Sequence, residues 1–137
     1  MPFLGLTLAC DYRIATDNTV FVNRCLNAGL PPGGSLPWFL ARFIGQAKAF
    51  EILLEKEELS AREAHDLGLV SALVSLESVK DESAAIARKF ADKPARGLVA
   101  MKRAMVAAAK DLPSYLNDED AIIKSFAGET ARSDGSR

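Results

Sequence analysis

The stretch Gly5-Leu-Thr-Leu-Ala-Cys-Asp-Tyr-Arg-Ile-Ala15, together with Gly29-Leu-Pro-Pro-Gly-Gly34, decides the fold that the sequence predicts. Its apolar first half has no polar face, so it predicts a segment buried on all sides, either a helix or a parallel strand. The charged second half alternates in polarity, which predicts a strand with Tyr12 and Ile14 on the face opposite Arg13. A glycine- and proline-rich loop follows at a fixed distance, and the two stretches together are predicted to form a junction that faces a ligand.

Composition narrows the classes of protein to which the chain can belong. Its 137 residues are 49% hydrophobic and 26% charged with a net charge of -1, which predicts one domain without bulk attraction to nucleic acid or membrane. No apolar run reaches the length of a bilayer span, and the apolar start lacks the basic residues of a signal peptide. Two cysteines make no disulfide framework, so we expect a reducing cytoplasm. The single histidine, His65, disfavours a metal site and a Ser-His-Asp triad.

After the loop, apolar positions recur with helical spacing, interrupted by turn residues. The predicted helices cover residues 36–44, 46–55, 60–67, 79–91, 94–110 and 113–127, and the predicted strands cover residues 11–17, 19–22 and 69–74. Residues 56–59 are predicted to be an acidic connector, and residues 128–137 a frayed tail. A boundary near Leu76 separates a strand-and-loop part, residues 1–76, from a helical part, residues 77–137.

Two details of the helices are predicted from local signals. Ser60 and Glu63 form a capping box that starts a short helix, and Gly68 suits the left-handed position after its end. The side chains expected to point inward from the helices at 36–44 and 46–55 are Leu36, Phe39, Leu40, Phe43, Ala49, Phe50, Leu53 and Leu54.

Several residues could have a catalytic or binding role, and for each of them a purely structural role is the alternative. The glycine loop could bring backbone amides to a ligand at the start of the helix from Leu36, although an ordinary strand-to-helix turn is the favoured reading. Cys25 could be a nucleophile, but a small buried hydrophobe is favoured because no base is near it in sequence. Cys10 is expected to pack in the core and His65 to face solvent. Seven basic residues within residues 88–110 predict a solvated helix face or, as the alternative, a site for the phosphates of coenzyme A.

Five segments resemble the crotonase (enoyl-CoA hydratase/isomerase) superfamily: Leu4-Gly-Leu-Thr-Leu-Ala-Cys-Asp-Tyr-Arg-Ile-Ala15, Phe21, Gly29-Leu-Pro-Pro-Gly-Gly34, Arg42-Phe-Ile-Gly45 and Leu59-Ser-Ala-Arg-Glu-Ala-His-Asp-Leu-Gly-Leu-Val70. The resemblance covers nearly all of the chain through Val74 and continues more loosely through the helices. It implies an α/β fold: part of a β-β-α spiral in residues 1–76, and a helical oligomerisation region of trimerisation type in residues 77–137. We expect the chain to be the C-terminal part of a family member, without the first spiral strands and the last helix.

The same resemblance implies a pocket for an acyl-CoA thioester, whose enolate oxygen is held by two backbone amides. One amide is expected from a segment before this chain, and the other falls at Pro2, beside Phe3, where proline has no N–H to donate. The two glutamates that position water in family hydratases match Gly5 and Cys25. Those two residues are the predicted catalytic positions, and the further residues predicted to bind the substrate near its acyl chain are Arg24, Pro32 and Gly33.

The leading hypothesis is an enoyl-CoA hydratase/isomerase family protein with non-standard catalytic residues, which binds or acts on an acyl-CoA thioester. An inactive oligomerisation or acyl-CoA-binding module is the first alternative, because neither Gly5 nor Cys25 can transfer a proton as a carboxylate does. An acyl-CoA thioester hydrolase is the second. The family implies a homo-oligomer, either a trimer or a dimer of trimers, with coenzyme A as part of the substrate and no bound cofactor, metal, nucleic acid or membrane.

Overall fold

A computed structural model gives the fold, and it describes the backbone of residues 2–109 and 111–134 and the side chains of residues 4–109 and 111–125. The described helices are α1 (Pro2–Leu8), α2 (Leu36–Ile44), α3 (Gln46–Glu55), α4 (Ala61–Asp66), α5 (Val79–Ala91), α6 (Ala95–Ala107) and α7 (Leu112–Asp134), with a 3-10 turn at Leu26–Ala28. The described strands are β1 (Ile14–Thr16), β2 (Val20–Val22), β3 (Glu58–Ser60) and β4 (Ala72–Val74).

The strands form two small sheets between the helices. β1 and β4 pair in parallel, with Ile14 opposite Ala72. β2 and β3 pair antiparallel, with Val20 opposite Ser60. Because parallel strands need a long crossover, all of α2, α3 and α4 lies between β1 and β4 in the chain. The fold is therefore of the α/β class, as the sequence predicted.

The core lies between α1, α2 and the turn that follows α4. It is built from aliphatic side chains that are at most a few per cent exposed: Leu4, Leu8, Leu36, Leu40, Leu59, Leu69 and Val70, with Ala15, Ala49, Ala61 and Ala64. Residues 4 and 8 share one face of α1, and residues 36 and 40 share one face of α2, so the two helices meet along these faces. The apolar start of the sequence is thus a helix rather than a parallel strand.

The strand predicted for residues 11–17 is shorter than predicted, and the face that carries Arg13 is the buried one. Only residues 14–16 pair as a strand, Tyr12 is exposed, and Arg13 is 8% exposed. Arg13 is buried because its guanidinium donates hydrogen bonds to two carbonyl oxygens, from Nε to Leu69 O at 2.5 Å and from Nη1 to Cys10 O at 2.6 Å. The guanidinium carbon also lies 4.6 Å from the ring centroid of Phe43. A charged side chain takes the inward position because its donors are satisfied there.

The predicted bounds of α2, α3 and α5 are confirmed, but three of the inward positions are wrong. Phe43, Phe50 and Leu54 are 40%, 67% and 58% exposed, whereas Trp38 and Ile52 are buried. These helices have more apolar residues than fit on the face that packs against neighbouring elements. Which of them are buried follows from the rotation of each helix on the core, and helical spacing alone leaves that open.

Turn and cap signals near α4 are confirmed in detail. The Ser60 hydroxyl accepts from the Glu63 amide at 3.2 Å, and the Glu63 carboxylate accepts from the Ser60 amide at 3.0 Å. Gly68 has a left-handed φ of 74°. The connector at residues 56–59 was predicted without regular structure, but it contributes β3, since Leu59 pairs with Phe21 and is buried. The strand predicted at residues 69–74 is confined to β4.

In the helical part, α6 is shorter than the predicted helix at residues 94–110, and the last helix is longer than predicted. α7 continues to Asp134, so the backbone of residues 128–134 is helical rather than a frayed tail. A single glycine, Gly128, costs a helix about 1 kcal/mol, which the helix-forming residues around it can offset. Residues 135–137 lie outside the described part, and the division of the chain at Leu76 stays a prediction.

Candidate functional site

A shallow groove of about 530 Å³ lies where α1 meets the glycine loop and the start of α7. The described residues that line it are almost all apolar or backbone in character: Gly5, Leu6, Ala9, Gly34, Ser35, Phe39 and Leu112. The groove therefore brings together one of the two predicted catalytic positions and the end of the predicted glycine loop.

Gly5 packs directly against the backbone of that loop. A Cβ built on Gly5 would stand 1.9 Å from the carbonyl oxygen of Gly34 and 3.1 Å from the amide nitrogen of Leu36. Real Cβ atoms do not approach a backbone oxygen so closely, so any side chain at residue 5 requires the loop to move. The space next to the α1 backbone that a glutamate would need is filled by the loop.

The loop itself has an unusual backbone conformation. Gly34 and Ser35 have φ angles of 69° and 60°, and Ser35 is the one described non-glycine residue with a positive φ. A Cβ on Gly33 would stand 3.2 Å from the Cδ1 atom of Ile123 in α7. The loop is thus held between α1 and α7, which explains how a left-handed serine can persist there.

Glu119, on α7, holds the end of the loop. Its two carboxylate oxygens accept from the Ser35 amide at 3.0 and 3.1 Å, and Oε1 also accepts from the Tyr115 hydroxyl at 2.9 Å. Burial, followed by the hydrogen bond to Glu119, raises the pKa of Tyr115 well above its usual range. The start of α2, which the sequence predicted could receive a ligand, is therefore occupied in part by a carboxylate of the same chain.

Sequence reasoning missed Glu119. The residue lies between Asp118 and Asp120 in a helix whose exposed face is acidic, and nothing local distinguishes it from its neighbours. The available signal was its spacing: Tyr115, Glu119 and Ile123 lie four residues apart and so share one face of a helix. That face contacts the glycine loop.

The second predicted catalytic position, Cys25, is not among the described residues that line this groove. Cys25 is half-buried and precedes the 3-10 turn, and its carbonyl oxygen accepts from the amides of Ala28 and Leu30 at 3.1 and 2.9 Å. Its backbone therefore holds the turn before the glycine loop. Its predicted part in the chemistry stays a prediction.

The predicted substrate-binding residues do not all lie in one place. The Arg24 guanidinium is exposed and pairs with Glu57 at 3.5 Å and with Glu58 at 3.4 Å. Pro32 and Gly33 are half-buried in the loop. Pro2 and Phe3 belong to the first turn of α1, but their side chains lie outside the described part.

Cys10, expected in the core, is exposed instead. It lies two residues after the end of α1, and its amide donates a hydrogen bond to the Thr7 carbonyl at 3.0 Å. His65 is exposed as predicted. The basic residues between 88 and 103 are also exposed, as a solvated face requires, and Lys110 lies outside the described part.

A polar cluster on α2, formed by Trp38 and Arg42, holds Asp111 at the start of α7. The Arg42 guanidinium carbon lies 4.0 Å from the Trp38 ring centroid, and both residues bond the carboxylate of Asp111, with Trp38 Nε1 at 3.3 Å from Oδ2. A second ion pair joins Lys102 of α6 to Asp11. The sequence did not predict these contacts between the helical part and the core.

Two general findings bear on cofactors and membranes. Among the described side chains, those of residues 4–109 and 111–125, the structure contains no group of three or more His, Cys, Asp or Glu residues placed to hold a metal ion. None of the helices in that part is long and apolar enough to cross a membrane.

The sequence profile of the family described as Enoyl-CoA hydratase/isomerase matches residues 4–136. A probable enoyl-CoA hydratase of Mycobacterium avium (strain 104) is 42% identical over 110 residues, which cover 80% of this chain and 42% of that relative. A 4-chlorobenzoyl coenzyme A dehalogenase of an Arthrobacter species is 34% identical over 98 residues, covering 70% of this chain and 36% of that relative.

Solved structures show the same fold. The crystal structure of an enoyl-CoA hydratase from Mycobacterium avium subsp. paratuberculosis matches 90% of this chain and 52% of that one with a TM-score of 0.83 at 27% sequence identity. The predicted fold class is thereby confirmed. The chain spans less than half the length of the two curated relatives, at 42% and 36%.

Proposed function

The chain belongs to the enoyl-CoA hydratase/isomerase family, and from this premise we propose that it forms one wall of a pocket for an acyl-CoA thioester. The groove at Gly5 is the proposed place of the acyl group. Its apolar lining suits a hydrocarbon chain, and both relatives described above are named for coenzyme A derivatives.

The close approach of Gly5 to Gly34 is the observation that supports our proposal about hydration. Hydration as the family performs it needs carboxylates that position and activate water. A side chain at residue 5 would collide with the loop, and residue 25 is a cysteine. We therefore propose that the protein binds acyl-CoA thioesters and does not hydrate them through the two family positions.

Titration calorimetry on the full chain tests this proposal. We expect heat on addition of butyryl-CoA beyond that given by coenzyme A alone, and no loss of crotonyl-CoA on incubation. Absence of binding by any acyl-CoA would overturn the proposed ligand class. Hydration of crotonyl-CoA that survives in Cys25→Ala would show that carboxylates elsewhere in the chain or protein replace the two positions.

A second candidate function is self-association through the helical part. The structure leaves large apolar side chains exposed on α6 and α7: Val99, Met101, Met105, Val106, Leu116, Ile122 and Ile123. So many exposed apolar residues in one region mark an interaction surface. We propose a homo-oligomer, and a trimer in accordance with the family.

Light scattering of the full chain tests the second candidate. We expect a mass close to a multiple of 14.7 kDa, and a smaller mass for Met105→Lys, which places a charge on the proposed surface. Lys89→Met, on an exposed position of α5, is the control and should leave the mass unchanged. A monomer at all concentrations would contradict self-association while leaving the proposal of acyl-CoA binding intact.

We also propose that the protein resides in a reducing compartment such as the cytoplasm. Its two cysteines are free, one exposed and one half-buried, which supports this proposal.

A further inference from the structure

A carboxylate lies next to the groove at Gly5: Glu119 does not itself line the groove but accepts hydrogen bonds from a residue that does. Ser35 lines the groove, and its amide nitrogen lies 3.0 and 3.1 Å from the two carboxylate oxygens of Glu119. None of the seven lining residues has an ionisable side chain. The carboxylate is thus set against a surface that is otherwise uncharged.

The described surroundings of Glu119 do not neutralise its charge with a cation. Its hydrogen-bond donors are the Ser35 amide and the Tyr115 hydroxyl, and both are neutral. Within residues 4–109 and 111–125, no lysine, arginine or histidine forms an ion pair with Glu119. The negative charge of Glu119 therefore interacts with a charged group bound in the groove, because a partly buried charge is screened less than an exposed one.

We propose that Glu119 is a specificity-determining residue that restricts the groove to uncharged acyl groups and rejects acyl groups that end in a carboxylate. The inference rests on the proposed function, since it assumes that the acyl group occupies this groove. A terminal carboxylate there would find no cationic partner among the lining residues, and it would be repelled by Glu119. Selection of one ligand by repulsion of its competitor is a general route to specificity.

The experiment compares two ligands with acyl chains of the same length, butyryl-CoA and succinyl-CoA, by titration calorimetry on the full chain. We expect the wild-type protein to bind butyryl-CoA more tightly, and Glu119→Gln to narrow the ratio of the two affinities by roughly tenfold. Glutamine keeps an oxygen that can accept from the Ser35 amide, so the loop retains its contact while the charge is removed. Asp118→Asn removes the same charge from an exposed neighbour on α7 and should leave the ratio unchanged.

The outcomes separate this inference from the proposed function. If wild-type protein binds butyryl-CoA and the ratio is the same in Glu119→Gln, the inference is wrong and the proposed function stands. If wild-type protein binds neither ligand, the proposed function falls and the inference falls with it.

Discussion

The carbonyl oxygen of Gly34 lies 1.9 Å from the point where a Cβ atom of Gly5 would stand. Residue 5 is therefore a glycine for a reason of packing, because the loop that ends at Gly34 rests directly on the α1 backbone. The resemblance to the family places a catalytic glutamate at this position, and the described conformation has no room for one. The absence of a side chain at residue 5 and the close packing of the glycine loop are thus two aspects of one arrangement.

We expect Gly5→Ala to destabilise the protein by about 2 kcal/mol or more, since overpacking at a rigid contact typically costs 1–3 kcal/mol. Urea unfolding followed by circular dichroism would measure the change. Gly97→Ala is the matched control: apart from its chain neighbours and the backbone of its own helix, no described atom lies within 4 Å of its Cβ position in α6. Since alanine favours a helix, a gain of about 0.5–1 kcal/mol is expected. Equal effects of the two substitutions would show that the loop does not rest on Gly5.

We expect the capping carboxylate of Glu63 to make stability depend on pH. The Lys56 ammonium, followed by the Ser60 amide and hydroxyl, lowers the pKa of Glu63 from 4.5 to about 2. Between these pH values the unfolded chain binds more protons than the folded one. The stabilisation of the folded state by the Glu63 carboxylate is therefore fully present above pH 4.5 and is lost as the pH falls to about 2.

Glu63→Gln isolates this contribution, because glutamine can still form the capping box. The difference in unfolding free energy between wild type and Glu63→Gln should be largest above pH 4.5 and should shrink as the pH approaches 2. Chemical denaturation at a series of pH values checks it. A difference that stays constant over this range would argue that the charge of Glu63 contributes nothing to folding.

Trp38 is the single tryptophan and should report the protonation of Asp111. Partial desolvation raises the pKa of Asp111, but hydrogen bonds from its own amide and from Trp38, together with Arg42, outweigh it, so the pKa lies below the usual 3.8. We expect an acid transition in Trp38 fluorescence with a midpoint below pH 3.8, and its absence in Asp111→Asn. Circular dichroism on the same samples distinguishes this local event from unfolding. A transition that persists in Asp111→Asn would assign it to another group.

Arg13 should stabilise the junction between α1 and β4. We expect Arg13→Met to lower the free energy of unfolding by about 2 kcal/mol or more, because hydrogen bonds from charged donors contribute about 1.5–3 kcal/mol and the Leu69 and Cys10 carbonyls would lose theirs. Arg62→Met, at an exposed position, should change stability by less than about 0.5 kcal/mol. The opposite order of the two effects would mean that the buried guanidinium is replaceable by an apolar side chain.

Much of the secondary structure could be predicted from local signals. The bounds of α2 and α3 follow from helical spacing between the loop, Gly45 and the acidic connector. The start of α4 follows from Ser60 and Glu63, whose reciprocal hydrogen bonds involve neighbouring residues only. The family was also predicted from the residues at 4–15, 29–34 and 59–70, and the family profile confirmed it.

The inward faces and the groove could not be predicted in the same way. Alternation in residues 11–17 predicted two faces, yet only the contacts of Arg13 with Leu69 and Phe43 decide that the charged face is the buried one. The contact of Glu119 with Ser35 joins residues that are far apart in the chain. No local rule anticipates it.

The sequence by itself determined the family, the fold class, the principal helices and the identity of residues 5 and 25, because periodicity, caps and motifs depend on neighbouring residues. Only the tertiary structure decided that Gly5 is closed by Gly34, that Glu119 occupies the start of α2 and that Arg13 is buried. The physical reason is that these contacts depend on how α1, the glycine loop and α7 pack together. That packing depends on the fit of whole surfaces and on the pairing of buried polar groups, which local sequence does not express.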